Sequence, residues 1–451
     1  MPGKKRPTGL RLAEFFRLSS KANGTFPHED PRAAEKLISL CHALLSERGE
    51  VSGRYLASEI LGAYQSLDAS TAAAFFNRVA AEFSPRPEEI GRAAEAYRKD
   101  STPENLARLQ RVVESPRQEL FRRLNMAPGA TRILVEMRAR LLKDLEKNPG
   151  WSPIASDLAH LLTSWFNRGF LVLRRIDWQT PASVLEKLIE YEAVHQIQGW
   201  RDLRRRLEAD RRCYGFFHPA LPDEPIIFIE VALTRGMSAK VQPLLDPDSP
   251  LVDPESADCA MFYSITNCQK GLRGVPFGSF LIKQVAEEVG KEFPRIKTFA
   301  TVSPVPDFRQ WLRESQQAEK DGALSEKVSG LIAKLDEPDW VQDKQTYAEV
   351  ERELVPLGAY YLLRVKQGKE PRDPVARFHL RNGARLERIN WFGDTSVIGM
   401  QRSVGLMANY VYRLAEVERN HELYTKEYKV NASREVEALA KRSSSLGLAA
   451  R

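Results

Sequence analysis

Apolar residues recur at intervals of three and four positions along residues 30 to about 160, the spacing that places them on one face of an α-helix. The segment DPRAAEKLISLCHALLSERG shows this spacing between an Asp-Pro start and a terminal glycine, both of which are typical of helix boundaries. Similar segments of unequal length follow, and no fixed period links them. The pattern therefore predicts a helical bundle rather than a solenoid of repeats.

The pattern changes at Phe170, where short apolar and β-branched runs begin to alternate with helical segments. The runs that predict strands are FLVLRRIDW, RCYGFF, PIIFIEVALT, CAMFYSIT and IKTFATV. Strands that alternate with helices indicate an α/β or α+β domain whose sheet is at least partly parallel. Near the end of the chain, ARFHLRNGARLERINWF predicts a strand, a turn at Asn382 and Gly383, and a second strand.

These patterns predict two domains and one insertion. We expect an all-α N-terminal domain over residues 1–160 and an α+β domain over residues 161–451. A polar helical stretch at about residues 314–369 is predicted to be inserted into the second domain. The chain length of 451 residues agrees with this division, because a single hydrophobic core rarely serves more than about 300 residues.

The composition narrows the class of protein. Apolar residues make up 43% of the chain and charged residues 28%, the balance of a globular rather than a disordered protein. No window approaches the run of about 18 apolar residues that a membrane span needs, so no membrane partner is expected. The net charge of +7 is compatible with nucleic acid or with a small polyanionic ligand. No zinc finger, helix-turn-helix or Arg-aromatic stripe favours nucleic acid, so the polyanionic ligand is preferred.

The cysteines and the N-terminal residues indicate the cellular compartment in which the protein is expected. Four cysteines, Cys41, Cys213, Cys259 and Cys268, show neither CxxC nor CxxxH spacing, which predicts no zinc site and no disulfide framework. A reducing cytoplasm is therefore the expected location. The start MPGKKRPTGLRLAEFFRLSS is basic and has some character of an organellar presequence, although Glu14 interrupts it early.

The stretch SITNCQKGLRGVPFGSFLIKQV combines a strand end, a glycine-rich loop and a helix start. Gly271, Gly274 and Gly278 let backbone amides approach an anion, and a helix opening near Gly278 adds unpaired N–H groups. Lys270 and Arg273 supply positive charge. The stretch has no P-loop pattern and follows the dinucleotide GxGxxG only loosely, so an ordinary structural turn is an equal alternative.

The order of elements around this loop resembles the coenzyme A cradle of GNAT-type acyltransferases. In those proteins two strands splay apart around a strand-loop-helix-strand unit, and QKGLRG at residues 269–274 is similar to their Q-x-x-G-x-G loop. Ser303 ends the next strand and precedes Pro304. The serine is either a common turn residue or a side chain held where a thioester arrives.

A histidine in the following segment is a second candidate. His379 lies between Phe378 and Leu380, in what the pattern predicts to be an apolar strand. A lone histidine there is more often a hydrogen-bonded core residue than a catalytic group, and the residues alone leave both open. His218, next to a proline, and His421, on a charged helix, are weaker candidates.

Taken together, a series of motifs resembles the malonyl-CoA decarboxylase family. They are SWFNRGFLVLRRIDWQTPASVLEKLIEYEAVH, EPIIFIEVALT, FYSITNCQKGLRGVPFGSFLIKQV, TFATVSPVPDFRQWL, FHLRNGARLERINW and GLMANYVYRL, in this order over roughly residues 160 to 430. The N-terminal helices are similar to the family only in character and position. The resemblance implies a helical assembly domain followed by a GNAT-like catalytic domain that converts malonyl-CoA into acetyl-CoA and carbon dioxide.

The resemblance also implies site residues. The serine of the S-P-x-P motif is Ser303 and the histidine of the F-H-L-x-N-G motif is His379, and these form the catalytic pair. Both are expected to bind malonyl-CoA together with a loop made of Arg273, Gly274, Val275, Pro276, Phe277, Gly278 and Ser279. Because Pro276 stands where animal members have an acidic residue, no carboxylate role is carried over. Backbone amides at the splayed strands are the leading candidates for donors to the enolate oxygen, and Asn382 and Tyr410 are weaker candidates.

Cofactor and partner expectations follow from the same resemblance. No metal and no separate cofactor are expected, because the thioester carbonyl accepts the electrons and coenzyme A is part of the substrate. A histidine of ordinary pKa, about 6.5, would hold and release the required proton near neutrality. The chain is expected to form a homo-oligomer, most simply a tetramer. Animal members end in the peroxisomal signal Ser-Lys-Leu, whereas this sequence ends GLAAR, so that address is not expected.

Two other functions stay open. The same loop and strand order suits a GNAT-type N-acetyltransferase, which would consume acetyl-CoA and need an amine acceptor. A non-catalytic protein that binds coenzyme A is the third possibility, and it would tolerate loss of Ser303 and His379.

Overall fold

The computed structural model describes residues 32–46, 49–277, 281–317, 326–337 and 339–443. The chain divides into two compact units. The helical unit comprises residues 1–167 and 269–276, and the α+β unit comprises residues 168–268 and 277–451. The N-terminal stretch with presequence character lies outside the described residues. Within the described part of the chain, no helix combines the length and apolar character needed to cross a bilayer.

The helical unit follows the amphipathic pattern of the sequence. Its helices are α1 Ala33–Ser46, α2 Glu50–Gln65, α3 Ala69–Glu82, α4 Pro87–Lys99, α5 Pro103–Val113, α6 Pro116–Leu124, α7 Ala130–Lys143 and α8 Ser152–Trp165. Local signals set the helix starts: Asp68, Thr102 and Ser115 accept hydrogen bonds from backbone amides in the first turn of α3, α5 and α6. The apolar faces of these helices then form the core of the unit.

The α+β unit is built on a mixed sheet with the strand order β1-β2-β3-β4-β5-β10-β6, to which β9 adds by pairing with β10. The strands are β1 Val172–Ile176, β2 Arg211–His218, β3 Leu221–Thr234, β4 Cys259–Asn267, β5 Thr298–Thr301, β6 Ser303–Pro304, β9 Arg385–Asn390 and β10 Met407–Val411. A separate two-stranded ribbon consists of β7 Lys366–Gln367 and β8 Glu370–Pro371. In the main sheet β4 and β5 pair in parallel, and the other pairings are antiparallel.

Helices accompany this sheet. They are α9 Ala182–Tyr191, α10 Trp200–Arg206, α11 Gln242–Leu245, α12 Leu281–Glu292, α13 Phe308–Gln317, α14 Glu326–Lys334, α15 Lys344–Arg364, α16 Pro374–Arg381, α17 Val397–Ser403, α18 Val417–Glu427 and α19 Arg434–Ser443. Helix α12 is the crossover that joins the two parallel strands, as a parallel connection requires. The stretch predicted to be a helical insertion contains α14 and α15.

The parallel pair β4 and β5 parts partway along β4. Cys259 to Phe262 pair with Thr298 to Thr301, and the Val302 N–H donates to the Phe262 carbonyl at 3.1 Å. Beyond this point β4 continues beside β3 to Asn267, whereas the chain after β5 pairs with β10 through Ser303 and Ala408. The same stretch of chain already pairs with β10 on its other edge, where Ala300 lies opposite Val411, so Ser303 lies just beyond the point where β4 separates from it.

The predicted fold class, a helical N-terminal region followed by an α+β domain with a partly parallel sheet, is confirmed. The strand predicted for ARFHLR is wrong, because these residues lie in helix α16. The Asp373 carboxylate accepts the Ala376 N–H at 2.8 Å and Pro374 occupies the first turn, so DPVA is a helix start. The second strand of that prediction is correct and corresponds to β9.

Candidate active site

Ser303 is held at the start of β6 by sheet pairing. It lies opposite Ala408 of β10, and Pro304 lies opposite Met407. The Ser303 side chain is buried, with only 5% of the residue exposed. A hydroxyl group in such a position needs partners within the protein, because an unpaired buried polar group is costly.

His379 reaches the site from helix α16. Its sequence neighbours Ala376 and Leu380 are buried, so this face of the short helix packs inward and takes the imidazole with it. The residue is 3% exposed. A helix rather than a strand therefore supplies the histidine. Its ring contacts Ser303 at the start of β6.

The structure brings the two predicted catalytic residues together. The Ser303 Oγ lies 2.9 Å from His379 Nε2, although the residues are 76 positions apart in the chain. The other ring nitrogen, Nδ1, lies 2.8 Å from the Tyr412 hydroxyl. The imidazole also stacks on the Tyr410 ring, with centroids 4.5 Å apart and planes 24° from parallel. Both nitrogens and one face of the histidine are thus fixed.

The direction of the hydrogen bonds defines the histidine tautomer. Ser303 donates its single hydroxyl hydrogen to Thr301 Oγ1 at 2.8 Å. The Ser303 oxygen must then accept from His379, which assigns the proton to Nε2. Nδ1 is left as an acceptor for the Tyr412 O–H. The assigned chain of donors runs from Tyr412 through His379 and Ser303 to Thr301.

Thr301 is itself held in place. Its Oγ1 accepts the Tyr410 N–H at 3.2 Å, and its carbonyl accepts from Asn409 Nδ2 at 2.6 Å. Asn409 is fully buried and also donates to the Ser238 carbonyl at 3.0 Å. Hydrogen bonds from β10 therefore fix the last residue of β5, and through it the Ser303 hydroxyl.

Burial keeps the imidazole neutral. It lowers the pKa of His379 from the usual 6.5 to about 3, because desolvation disfavours the charged imidazolium. Burial also raises the pKa of Tyr412 well above its ordinary value, so the phenol is protonated in the resting site. The expectation that this histidine titrates near neutrality is therefore wrong.

The two weaker candidates occupy different environments. Asn382 caps the end of α16, and its Nδ2 donates to the Phe378 carbonyl at 2.8 Å. Tyr410 stacks on the imidazole from β10. Sequence reasoning missed Tyr412, two positions after Tyr410 in NYVYRL, and it missed Thr301. The available signal was the alternation of side chains along a strand. Residues two positions apart lie on the same face, which links Tyr412 to Tyr410 and Thr301 to Ser303.

The predicted substrate loop is described in part. A single turn, Lys270–Leu272, precedes Arg273 and Gly274, which are both exposed. Val275 and Phe277 are buried and Pro276 is exposed. Residues 269–276 belong to the helical unit, whereas Ser303 and His379 belong to the α+β unit. Gly278 and Ser279 lie outside the described residues.

The structure also bears on metal and redox chemistry. In the part of the chain that the structure describes, His, Cys, Asp and Glu side chains form no group of three or more that could hold a metal ion. Each of the four cysteines is buried with a free thiol. Burial raises the pKa of Cys41 to about 12, and it raises that of Cys213 well above the ordinary value, so both stay protonated.

Comparisons with known proteins cover both units. Residues 169–448 match the family model of the malonyl-CoA decarboxylase C-terminal domain, and residues 83–166 match the model of the malonyl-CoA decarboxylase N-terminal domain. The chain is 37% identical over 341 residues to the protein of Anser anser anser named "Malonyl-CoA decarboxylase, mitochondrial", covering 70% of this chain and 68% of that one. The mouse protein of the same name is 36% identical over 344 residues, covering 71% and 70%.

Solved structures agree with the sequence matches. The malonyl-CoA decarboxylase of Rhodopseudomonas palustris superimposes with a TM-score of 0.86 at 47% identity, over 90% of this chain and 99% of that one. The malonyl-CoA decarboxylase of Agrobacterium vitis gives a TM-score of 0.85 at 46% identity, over the same shares of 90% and 99%.

Proposed function

The chain belongs to the malonyl-CoA decarboxylase family, and from that premise we propose that it converts malonyl-CoA into acetyl-CoA and carbon dioxide. The observation that carries the proposal is the 2.9 Å contact between Ser303 Oγ and His379 Nε2. Two motifs that are remote in the sequence thus meet at a buried point just beyond the end of the pairing between β4 and β5. Such an arrangement suits chemistry on a substrate that enters beside the parting strands.

The reaction breaks the bond between the α-carbon and the carboxylate carbon. Carbon dioxide leaves, and the electron pair of that bond passes to the thioester carbonyl, which becomes an enolate. A proton delivered to the α-carbon then completes acetyl-CoA. The site must therefore stabilise a developing oxyanion and supply one proton, and preorganised donors typically contribute about 3–4 kcal/mol each to such a step.

His379 is the proposed proton donor, acting as the neutral imidazole. The enolate of a thioester is a stronger base than imidazolate, so an uncharged Nε2–H is acidic enough to protonate it. The Tyr412 hydroxyl can replace the lost proton at Nδ1, since it already donates there at 2.8 Å. Nδ1 then returns this proton to the tyrosinate while Nε2 takes up a proton from solvent, which restores the starting tautomer. Transfer at both ring nitrogens leaves the histidine neutral throughout.

Ser303 is the proposed positioning group. Its oxygen accepts from Nε2 and its hydrogen points to Thr301, so it sets the direction of the donor. A nucleophilic role is unnecessary, because decarboxylation through an enolate needs no acyl-enzyme. Rotation of the same hydroxyl would let it meet the substrate carboxylate or the enolate oxygen. The Asn382 amide and the Tyr410 hydroxyl remain secondary candidates for that oxygen.

The substrate loop is proposed to bind the coenzyme A part of malonyl-CoA. The residues are Arg273, Gly274, Val275, Pro276, Phe277, Gly278 and Ser279, with Ser303 and His379 at the thioester. The exposure of Arg273 and Gly274 supports this, because a cationic side chain and a glycine amide can approach a diphosphate. No metal or separate cofactor enters the proposed reaction, since the thioester carbonyl is the electron sink.

A product assay tests the proposal and its enzymatic alternative together. The purified protein is incubated with malonyl-CoA, with and without EDTA, and acetyl-CoA and carbon dioxide are quantified. Equal amounts of both products, unaffected by EDTA, are expected. Consumption of acetyl-CoA only when an amine is present would instead identify an N-acetyltransferase. Binding of coenzyme A without either reaction would favour a non-catalytic protein.

A homo-oligomer, most simply a tetramer, is proposed as the assembly, with the helical unit supplying contacts. Exposed apolar residues on the helical unit, among them Val51, Leu106 and Val113, support this. Light scattering at micromolar concentration should give the mass of a multimer of the 51.2 kDa chain. A monomer mass would contradict the proposal.

The cytoplasm is proposed as the location. Four buried free thiols are compatible with a reducing compartment. Relatives named as mitochondrial make a mitochondrial location the alternative. Fractionation of cells that express the full chain with a C-terminal tag would separate the two, since import would remove basic residues from the start and shorten the protein.

A further inference from the structure

Arg138 of helix α7 forms hydrogen bonds with the backbone of the glycine-rich loop, residues 269–276, which belongs to the helical unit and begins the substrate-binding stretch. Its guanidinium Nη1 donates to the Gly271 carbonyl at 2.5 Å and to the Arg273 carbonyl at 2.9 Å. Its Nε donates to the Ala155 carbonyl at 3.2 Å. The residue is buried, with 6% exposed. One side chain thus ties two carbonyls of the loop to the helical bundle.

The loop also touches α7 through its backbone. A Cβ built on Gly271 would lie 1.9 Å from the Val135 carbonyl oxygen, a distance that no side chain can occupy. Glycine is therefore required here because the loop lies directly against the helix. The contact places Gly271 next to the turn of α7 that carries Arg138.

Within the described part of the chain, no acidic side chain neutralises the positive charge of Arg138. Among the residues that the structure describes, no carboxylate lies within ion-pair distance of its guanidinium, and the groups it contacts are carbonyl oxygens. Burial lowers the pKa of Arg138, but an arginine in a protein stays protonated. A full positive charge therefore remains behind the loop, in surroundings of low polarity where its field is weakly screened.

The same hydrogen bonds orient the loop amides. In a trans peptide the C=O and the following N–H point in opposite directions. Because the Arg273 carbonyl points to Arg138, the Gly274 N–H points away from it, and the described chain contains no cis peptide. Both Arg273 and Gly274 are exposed. The outer side of the loop thus presents an amide and a cationic side chain, with the buried guanidinium behind them.

We propose that Arg138 is a positioning residue for malonyl-CoA, one that sets affinity for the diphosphate of the coenzyme A moiety by holding the loop and adding uncompensated positive charge. This inference rests on the proposed function, because it assumes that the loop binds coenzyme A. It gives the helical unit a part in substrate binding in addition to any part in assembly. If the proposal holds, loss of Arg138 raises KM only for substrates that carry the diphosphate, and kcat stays unchanged.

The test compares two malonyl thioesters in wild type and Arg138→Met. One is malonyl-CoA, and the other is malonyl-N-acetylcysteamine, which lacks the diphosphate. We expect KM for malonyl-CoA to rise about tenfold or more. Loss of a hydrogen bond to a charged group typically changes an equilibrium constant by at least that factor. The kcat for malonyl-CoA and the kcat/KM for the truncated thioester should stay within about twofold.

Two further variants serve as controls. Arg140→Met changes a neighbouring arginine of α7 whose guanidinium donates to the Leu67 and Asp68 carbonyls instead of the loop, and it should behave as wild type. Arg138→Lys keeps the charge with a different donor geometry and should recover part of the lost affinity. If Arg138→Met does not fold, Arg138→Lys carries the test with a smaller rise in KM.

The outcomes separate this inference from the proposed function. Equal losses with both thioesters, or a fall in kcat alone, would mean that Arg138 acts on the fold in general and would overturn the inference. If wild type decarboxylates neither thioester, the proposed function fails. Titration calorimetry with coenzyme A then tests the role of Arg138 by itself. Weaker binding by Arg138→Met would then support the inference, whereas equal binding, or no binding by wild type, would overturn it.

Discussion

The Tyr412 hydroxyl lies 2.8 Å from Nδ1 of His379, while the other ring nitrogen meets Ser303. Because Ser303 gives its own hydrogen to Thr301, the tyrosine and the serine together require the Nε2–H tautomer. Tyr412 therefore belongs to the proposed catalytic arrangement, although no motif in the sequence pointed to it. A second partner that fixes the histidine tautomer is a recurring feature of catalytic sites.

Removing this hydroxyl should impair turnover without weakening binding. In Tyr412→Phe, Nδ1 loses its donor, the ring can adopt the other tautomer, and Nε2 then no longer donates. We expect kcat to fall by about 10²-fold, the lower end of what acid–base groups contribute, with KM nearly unchanged. The comparison variant is Tyr410→Phe, which keeps the ring stacked on the imidazole and should lose far less activity than Tyr412→Phe, because its hydroxyl is only a secondary candidate donor. A normal kcat in Tyr412→Phe would remove the tyrosine from the mechanism.

The pH dependence of turnover should lack a histidine inflection. With its pKa lowered to about 3, His379 is neutral across the range from pH 5 to pH 8. A neutral donor then predicts a kcat that is flat through pH 6.5. Measurement of kcat at saturating malonyl-CoA in overlapping buffers checks this. A tenfold decline per pH unit above pH 6.5 would show that the imidazolium is the acid, and would contradict the neutral-donor mechanism.

The same pKa shift makes His379 a source of acid instability. Unfolded His379 binds a proton below its usual pKa of 6.5, whereas the folded residue stays neutral down to about pH 3. In this window the unfolded state binds more protons, so stability falls as the pH falls. We expect this residue alone to lower the free energy of unfolding by about 2 kcal/mol between pH 7 and pH 5. Urea denaturation of wild type and His379→Gln at both pH values isolates the effect, and equal pH sensitivity of the two proteins would refute it.

Much of the fold could be predicted because its signals are local. The capping residues Asp68 and Thr102 predict the starts of α3 and α5, and continuous apolar runs predict β3 and β4. The segment around His379 was assigned to a strand because its short apolar run has no clear period. Its Asp-Pro start was the better signal, since an aspartate cap and a first-turn proline indicate a helix.

The candidate site was only partly accessible from the sequence. Ser303 and His379 were found through motifs that resemble a family, and the residues alone left both with structural alternatives. Tyr412 and Thr301 join them because of the register of β10 against β5 and the docking of α16 on that edge. Such contacts depend on the tertiary arrangement of elements, which no local pattern encodes. Burial of His379, which determines its pKa, likewise appears only once the chain is folded.

The central claim is that Ser303 and His379 act as a unit on malonyl-CoA, and a mutant cycle tests it most directly. The kcat for acetyl-CoA formation is measured in wild type, Ser303→Ala, His379→Gln and the double variant, with coenzyme A affinity measured by calorimetry. We predict losses of about 10²–10⁴-fold in kcat for the histidine variant, a strong loss for the serine variant, and a double variant little worse than the poorer single one. Coenzyme A affinity should stay within about threefold of wild type. Turnover near the wild-type level in either single variant, or losses that multiply in the double variant, would contradict the account.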